Sequence, residues 1–130
     1  MASESIEKAA SINVFGEPLE LCSSQLQTGF YRDGCCNTGA HDFASHTLCA
    51  EVSDEFLQFS LRQGNDLITP RAEWGFPGLK PGDRWCLCAT RWLQAERAGV
   101  APRVYLRACH QTVTDWVPLD TLKAYAVDLQ

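Results

Sequence analysis

The sequence predicts a single α+β domain, a small mixed β-sheet with about three helices and two long ordered loops. Three observations lead there. The chain has 130 residues, 45% of them hydrophobic and 21% charged, which is the size and composition of one ordinary globular domain able to bury a real core without a disulfide or metal staple. From residue 46 onward, short stretches of strand period alternate with stretches of helix period. Two long segments, 13–45 and 65–83, are too rich in Gly and Pro for any long regular element, yet the second carries Trp74 and Phe76, as expected of an ordered loop.

The elements follow in order. Residues 1–12 are small and polar and are expected to form a flexible tail, leaving 13–130 as the globular domain. Segment 13–45 is an irregular arm punctuated by Gly16, Pro18, Gly29, Gly34 and Gly39. In 46–52, Leu48, Ala50 and Val52 alternate with more polar neighbours, the period of a strand. Ser53 followed by Asp54 and Glu55 begins a helix, because a Ser oxygen accepts an orphan N–H and acids suit the positive end of the helix dipole; Gly64 ends it. Residues 85–89 are apolar on both faces, the mark of a central strand. Thr90 can cap a helix running to Ala98, with Gly99 as its stop. A strand over 103–109 then completes a strand–helix–strand unit that suggests a crossover. Residues 113–117 have strand propensity, and Pro118 suits the first turn of a terminal helix carrying Leu119, Leu122, Tyr125 and Ala126.

Charge and cysteine content bound the function. Formal net charge is −5, which argues against a nucleic-acid footprint, and no apolar run is long enough to span a bilayer. An amino terminus with acids and no apolar core predicts no export signal. Together with an odd cysteine count of seven, it predicts a cytoplasmic protein with reduced cysteines. The cations gather after residue 70, where eight basic residues face six acids, against three and ten before it.

Two places concentrate chemistry. In the arm, Arg32, Asp33, Cys35, Cys36, His41, Asp42 and His46 crowd into a Gly-rich stretch. A thiol beside Arg or His is activated as a nucleophile, so Cys35 or Cys36 is the candidate nucleophile, with His46 as base and Asp42 or Asp33 as its orienter. The same segment offers a zinc set of Cys35, Cys36, His46 and Cys49, although the spacing has no C-x-x-C signature and no metal or other cofactor is assigned. The histidines are equally able to satisfy turns. In the second loop, Arg71, Lys80 and Arg84 with Trp74 and Phe76 can hold a flat anion by ion pairing and stacking, or the rings can simply cover the core. Cys86 and Cys88 share a strand face and are expected to be core thiols.

The stretches Asn13-Val-Phe-Gly-Glu-Pro-Leu-Glu, Thr28-Gly-Phe-Tyr-Arg-Asp-Gly-Cys-Cys-Asn-Thr-Gly, His46-Thr-Leu-Cys-Ala, Gly75-Phe-Pro-Gly-Leu-Lys-Pro-Gly-Asp-Arg-Trp-Cys-Leu-Cys and Ala98-Gly-Val-Ala-Pro resemble the small bacterial family catalogued as domain of unknown function 2237. The resemblance covers about residues 13–128 and implies that both long loops belong to the domain. It implies no activity, substrate or cofactor. The functional expectation from the residues is therefore a small binding module with a pocket between arm and loop for an anionic small molecule, bound by Arg32, Asp33, Arg71, Trp74 and Arg84. A protein partner, a cysteine enzyme and a zinc domain are the alternatives.

Overall fold

The computed structural model describes residues 11–129. The tail expected over 1–12 lies outside the described residues as far as residue 10. Ser11 and Ile12 already belong to the domain, since Ser11 Oγ donates to Asn37 Oδ1 at 2.9 Å and Ile12 bridges to Pro18.

The architecture is α+β. Strand β1 (Leu48–Glu51) lies in the middle of a three-stranded sheet, with β2 (Arg84–Leu87) on one side and β3 (Arg103–Val104) on the other. Both ladders are antiparallel, and among the described residues parallel pairing is confined to a single bridge between Val104 and Ala126. The outer strands β2 and β3 thus run parallel to each other across β1, joined by helix α2 (Ala89–Arg97), so the strand–helix–strand unit skips the central strand. Beyond Val104 the expected strand gives way to a 3-10 turn at Leu106–Ala108, and residues 113–117 fall in and just after a second one at Gln111–Asp115 rather than in a strand. The reason for the first is visible in its donors. The Tyr105 N–H still donates in register to Cys49 O on β1, but the N–H groups of Leu106 and Arg107 are taken by the Asp128 carboxylate at 2.7 and 3.0 Å, and the ladder ends there.

Helix α1 (Asp54–Arg62) begins where Ser53 Oγ accepts the Phe56 N–H at 3.1 Å, and Asp54 and Glu55 occupy its first turn. It buries Phe56, Leu57 and Ser60, while α2 buries Ala89, Trp92 and Ala95 at helical spacing. The terminal helix α3 (Leu119–Ala124) follows Pro118 and buries Leu122. Trp92 is the largest fully buried side chain; its indole N–H donates to Pro102 O at 3.0 Å and its ring meets Tyr125 edge-on. Burial of a ring of this size removes far more apolar surface from water than any aliphatic neighbour, so Trp92 anchors α2 and α3 to the sheet.

The arm makes no named strand or helix and is tied down by specific bonds. Cys22 is bridged to Cys49 on β1, and Cys36 to Cys86 on β2, with Cα separations of 5.7 and 5.3 Å. This overturns the expectation of reduced cysteines. The physical reason lies in the ladder: Cys49 and Cys86 are register partners, and the arm crosses the sheet just where the two strands present their sulfurs side by side. Thr28 Oγ1 adds a bond from the Cys86 N–H at 2.8 Å, and Gly34 O takes the N–H groups of Cys22 and Ser23. No helix among the described residues is long and apolar enough to cross a membrane.

Candidate functional site

Where the arm meets the Pro/Gly loop there is a cleft of about 370 Å³, lined among others by Arg32, His46, Asp66, Arg71, Trp74 and Trp85. This is within the range of small-molecule pockets. Arg32 comes from the arm. Its φ of 59° is left-handed, rare for a residue with a Cβ. The conformation is held by three bonds: its N–H to Gly29 O at 3.0 Å, its Nε to Gln27 O at 2.8 Å, and its Nη2 across the cleft to Trp74 O at 3.1 Å. Backbone strain of this kind persists only where surrounding contacts over-determine it. The guanidinium therefore serves as the strap between arm and loop.

Arg71 and Trp74 come from the opposite side. Arg71 exchanges two backbone bonds with Phe76, closing a tight hairpin whose reversal is completed by Gly75 at a φ of 64°. The Arg71 guanidinium lies 6.0 Å from the Trp74 ring and 4.0 Å from Asp66, too far for a tight ion pair, and Trp74 is 65% exposed. Asp66 accepts the N–H groups of Ile68 and Thr69 at 2.9 and 3.0 Å. A hydrogen bond from the Thr69 side chain, these two N–H groups and the nearby Arg71 charge hold its carboxyl below the ordinary range. Two guanidiniums and one imidazole thus share the cleft with one carboxylate.

His46 sits at the cleft's inner edge. Its Nδ1 lies 2.7 Å from Oδ1 of Asp42, whose side chain is fully buried, and Asp42 Oδ2 accepts the His46 N–H and the Thr38 hydroxyl, each at 2.9 Å. Cys88 is the second side chain that interacts with the imidazole. The interaction with Cys88 is the largest influence on the ring; burial opposes it, the bond to and charge of Asp42 add to it, and the imidazole is raised to about 9. Local folding explains the row. The register Leu48↔Leu87 carries His46 and Cys88 to the same end of the β1–β2 ladder, and the Ala89 N–H donates to Ser45 O at 3.1 Å, fastening the start of α2 to the chain beside His46. Cys88 itself is the N-cap of α2 and half-buried.

The residues singled out from sequence are thus distributed unevenly. Arg32, Arg71 and Trp74 line the cleft with His46. Asp33 does not; its Oδ1 caps the Cys35 N–H at 3.1 Å, and it lines a separate shallow groove behind Arg32. Arg84 also lies outside, because its guanidinium stacks 3.7 Å from the centroid of Tyr105, whose hydroxyl donates to Glu51 at 2.6 Å. Arg84 stands opposite Glu51 in the ladder, so β2 delivers it to that cluster. Asp42 does lie against His46, but neither candidate nucleophile completes the row: Cys36 is consumed in its bridge, and the thiol at His46 is Cys88 rather than Cys35. The zinc set fails for the same reason. Cys36 and Cys49 are both disulfide-bonded, and although the sulfurs of Cys22, Cys36 and Cys49 lie within 4.8 Å of one another, all three are committed to bridges. Cys109 is buried, and burial pushes its thiol up to about 12, which leaves it inert.

The expectation of a strand over 85–89, with Cys88 as a core thiol and Thr90 as the helix cap, does not hold: β2 ends at Leu87 and Cys88 is the N-cap of α2. The usable signal was its position: the strand ends one residue earlier, and a cysteine directly before a helix start meets the positive end of the dipole.

The fold and site together define a small α+β domain with a cationic cleft at the seam between two loops and a thiol–imidazole–carboxylate row on the cleft's edge. The chain belongs to the family described as uncharacterized protein conserved in bacteria (DUF2237), which it matches over residues 12–126. Among curated proteins none matches it.

Proposed function

We propose that this protein is a small binding module whose cleft takes a small, flat anionic molecule such as an aromatic carboxylate. The observation that carries the proposal is the convergence of Arg32, Arg71, Trp74 and His46 on one cleft of about 370 Å³. A planar anion is matched by guanidinium forks, which bind carboxylate bidentately, and by an exposed indole face for stacking. Arg32 is pre-positioned by its bonds to Gln27 and Trp74 carbonyls, so little side-chain entropy is lost on binding. Arg71 has long contacts, with Asp66 at 4.0 Å and the Trp74 ring at 6.0 Å, to give up. The cytoplasm is the compartment we propose for it. The four bridged cysteines are at most 1% exposed, which shields them from small thiols there.

Calorimetric titration with nicotinate, repeated on Arg32→Ala and Arg71→Ala, tests this reading. Each substitution is expected to weaken binding roughly tenfold, the loss of one charge-assisted hydrogen-bonded contact. Equal affinity in the unsubstituted protein and in the variant that combines Arg32→Ala with Arg71→Ala would overturn it.

A further inference from the structure

The arm's candidate thiols do not meet His46, yet a thiol does. We propose that Cys88, His46 and Asp42 form a nucleophilic triad that transfers acyl groups, with Cys88 as the nucleophile, His46 as its proton partner and Asp42 as the positioning residue. The β1–β2 register and the bond from the Ala89 N–H to Ser45 O, 3.1 Å, bring Cys88 beside His46. A nucleophile–base pair counts as such when the base is itself oriented by a third group. Here Asp42 is fully buried, fixes Nδ1 at 2.7 Å and holds the His46 backbone N–H as well, so the ring is locked in rotation and tautomer, leaving Nε2 for the sulfur. Asp42 is in turn fixed by Thr38. The sulfur sits at the N-cap of the nine-residue helix α2, where the dipole favours negative charge. Cys88 is half-buried and the His46 side chain 34% exposed, so reagents reach the pair.

The step balances without an external oxidant or reductant. The Cys88 sulfur, giving its proton to His46, attacks the carbonyl carbon of an ester or thioester; the S–C bond forms, the bond from carbon to the leaving oxygen or sulfur breaks, and His46 gives that proton to the leaving group. Water then attacks the acyl-thioester, its proton passing through His46 while the carboxylic acid departs and Cys88 is regenerated. That the acyl donor also carries an anionic group rests on the cleft reading above, since His46 lines the same cleft as Arg32 and Arg71.

The experiment uses the intact, non-reduced protein and two p-nitrophenyl esters, the neutral acetate and the carboxylate-bearing succinate, with nitrophenol release and peptide mass mapping as readouts. The expected result is an acyl adduct on Cys88, absent in Cys88→Ser and preserved in Cys35→Ser. Acylation should slow roughly a hundredfold in His46→Gln. In Asp42→Asn the pH profile of acylation should shift to lower pH, since His46 loses a charge that keeps it protonated; a merely structural defect would lower the rate without moving the profile. Amide exchange confirms that each variant is folded. Adduct on Cys35 instead, or no adduct on the folded protein while nicotinate still binds, overturns the triad and leaves the cleft. Adduct on Cys88 with no preference for the succinate, and none lost in Arg32→Ala, supports the triad and overturns the cleft as its specificity element.

Discussion

The arm, residues 11–45, and the β–α body from Leu48 to Ala126 are held by different physics. The body is a hydrophobic assembly. Its residues, Leu48, Phe56, Trp92, Val104, Leu106, Val113 and Leu122, are essentially free of solvent, and each gains stability in proportion to the apolar area it removes from water. The arm contributes only Cys22 and Cys36 to that fully buried apolar set. Its order comes from two bridges, from left-handed turns at Gly29, Arg32 and Gly34, and from individual hydrogen bonds such as Cys86 N–H to Thr28 Oγ1. The difference teaches where a site can be built. A packed body tolerates few open polar groups, whereas a stitched arm can hold Arg32, Asp42 and His46 at fixed positions over the sheet's end.

The sharpest way to break this comparison is to open the bridges. They span separations of 27 and 50 residues, and loop-closure entropy for such lengths puts each at about 3–4 kcal/mol of stability. Denaturant unfolding with and without a dithiol reductant is expected to show a large loss, and native-state amide exchange should lose protection over 11–45 before it is lost in α1 and α2. Uniform loss across both regions would dissolve the distinction.

Next in size is the body's anchor. Trp92→Ala is expected to cost about 3–5 kcal/mol, seen as a lowered urea midpoint, by loss of buried area, the cavity left behind and the bond to Pro102 O. An arm residue of no volume should matter through backbone shape instead. Gly29 has a φ of 93°, and a Cβ there would overlap the Cys35 carbonyl oxygen, so Gly29→Ala is expected to cost about 2–3 kcal/mol. Because the affected turn carries Arg32, nicotinate binding should weaken in the same variant even at temperatures where it is folded. Trp92→Ala, by contrast, should leave the affinity of the folded fraction unchanged.

The smallest effect is the pH dependence of His46. Its folded pKa, about 9, lies above the ordinary 6.5 because of Cys88 and Asp42. The contribution to stability is therefore fully present below about pH 6.5 and lost as pH rises through about 9. Arg32, Asp66 and Arg71 line the same cleft as the ring. Comparing urea midpoints of the unsubstituted protein and His46→Gln through this window should show an extra decline only in the former; parallel curves would show that the ring is not held protonated by its partners.

Much of the body was legible in the sequence because hydrophobic period is a local signal. Leu48 and Ala50, the Ser53 cap and the Phe56–Leu57 stripe lead directly to β1 and α1. Leu106–Ala108 reads as a continuing strand because Val104, Leu106 and Ala108 alternate, but the N–H groups of Leu106 and Arg107 are captured by Asp128, 22 and 21 residues on in the chain, beyond any local window of sequence. For the site, composition brought Arg32, Arg71, Trp74, Asp42 and His46 to notice as separate clusters. Which thiol meets His46 depends on a register, Leu48↔Leu87, and on where β2 ends; the pairing of Cys49 with Cys22 and of Cys36 with Cys86 depends on the same register. Adjacent cysteines in a polar loop looked reactive, and the fold used one of them as a tie.

The most direct test of the central claim, that arm and loop make one anion-binding cleft with His46 at its edge, is an NMR titration of the intact protein with nicotinate, following the His46 ring and the Trp74 indole N–H together. The structure predicts that both signals move along one saturable curve with a common Kd, and that Arg84→Ala leaves that Kd unchanged. Movement of Trp74 without His46, or of neither, would contradict it.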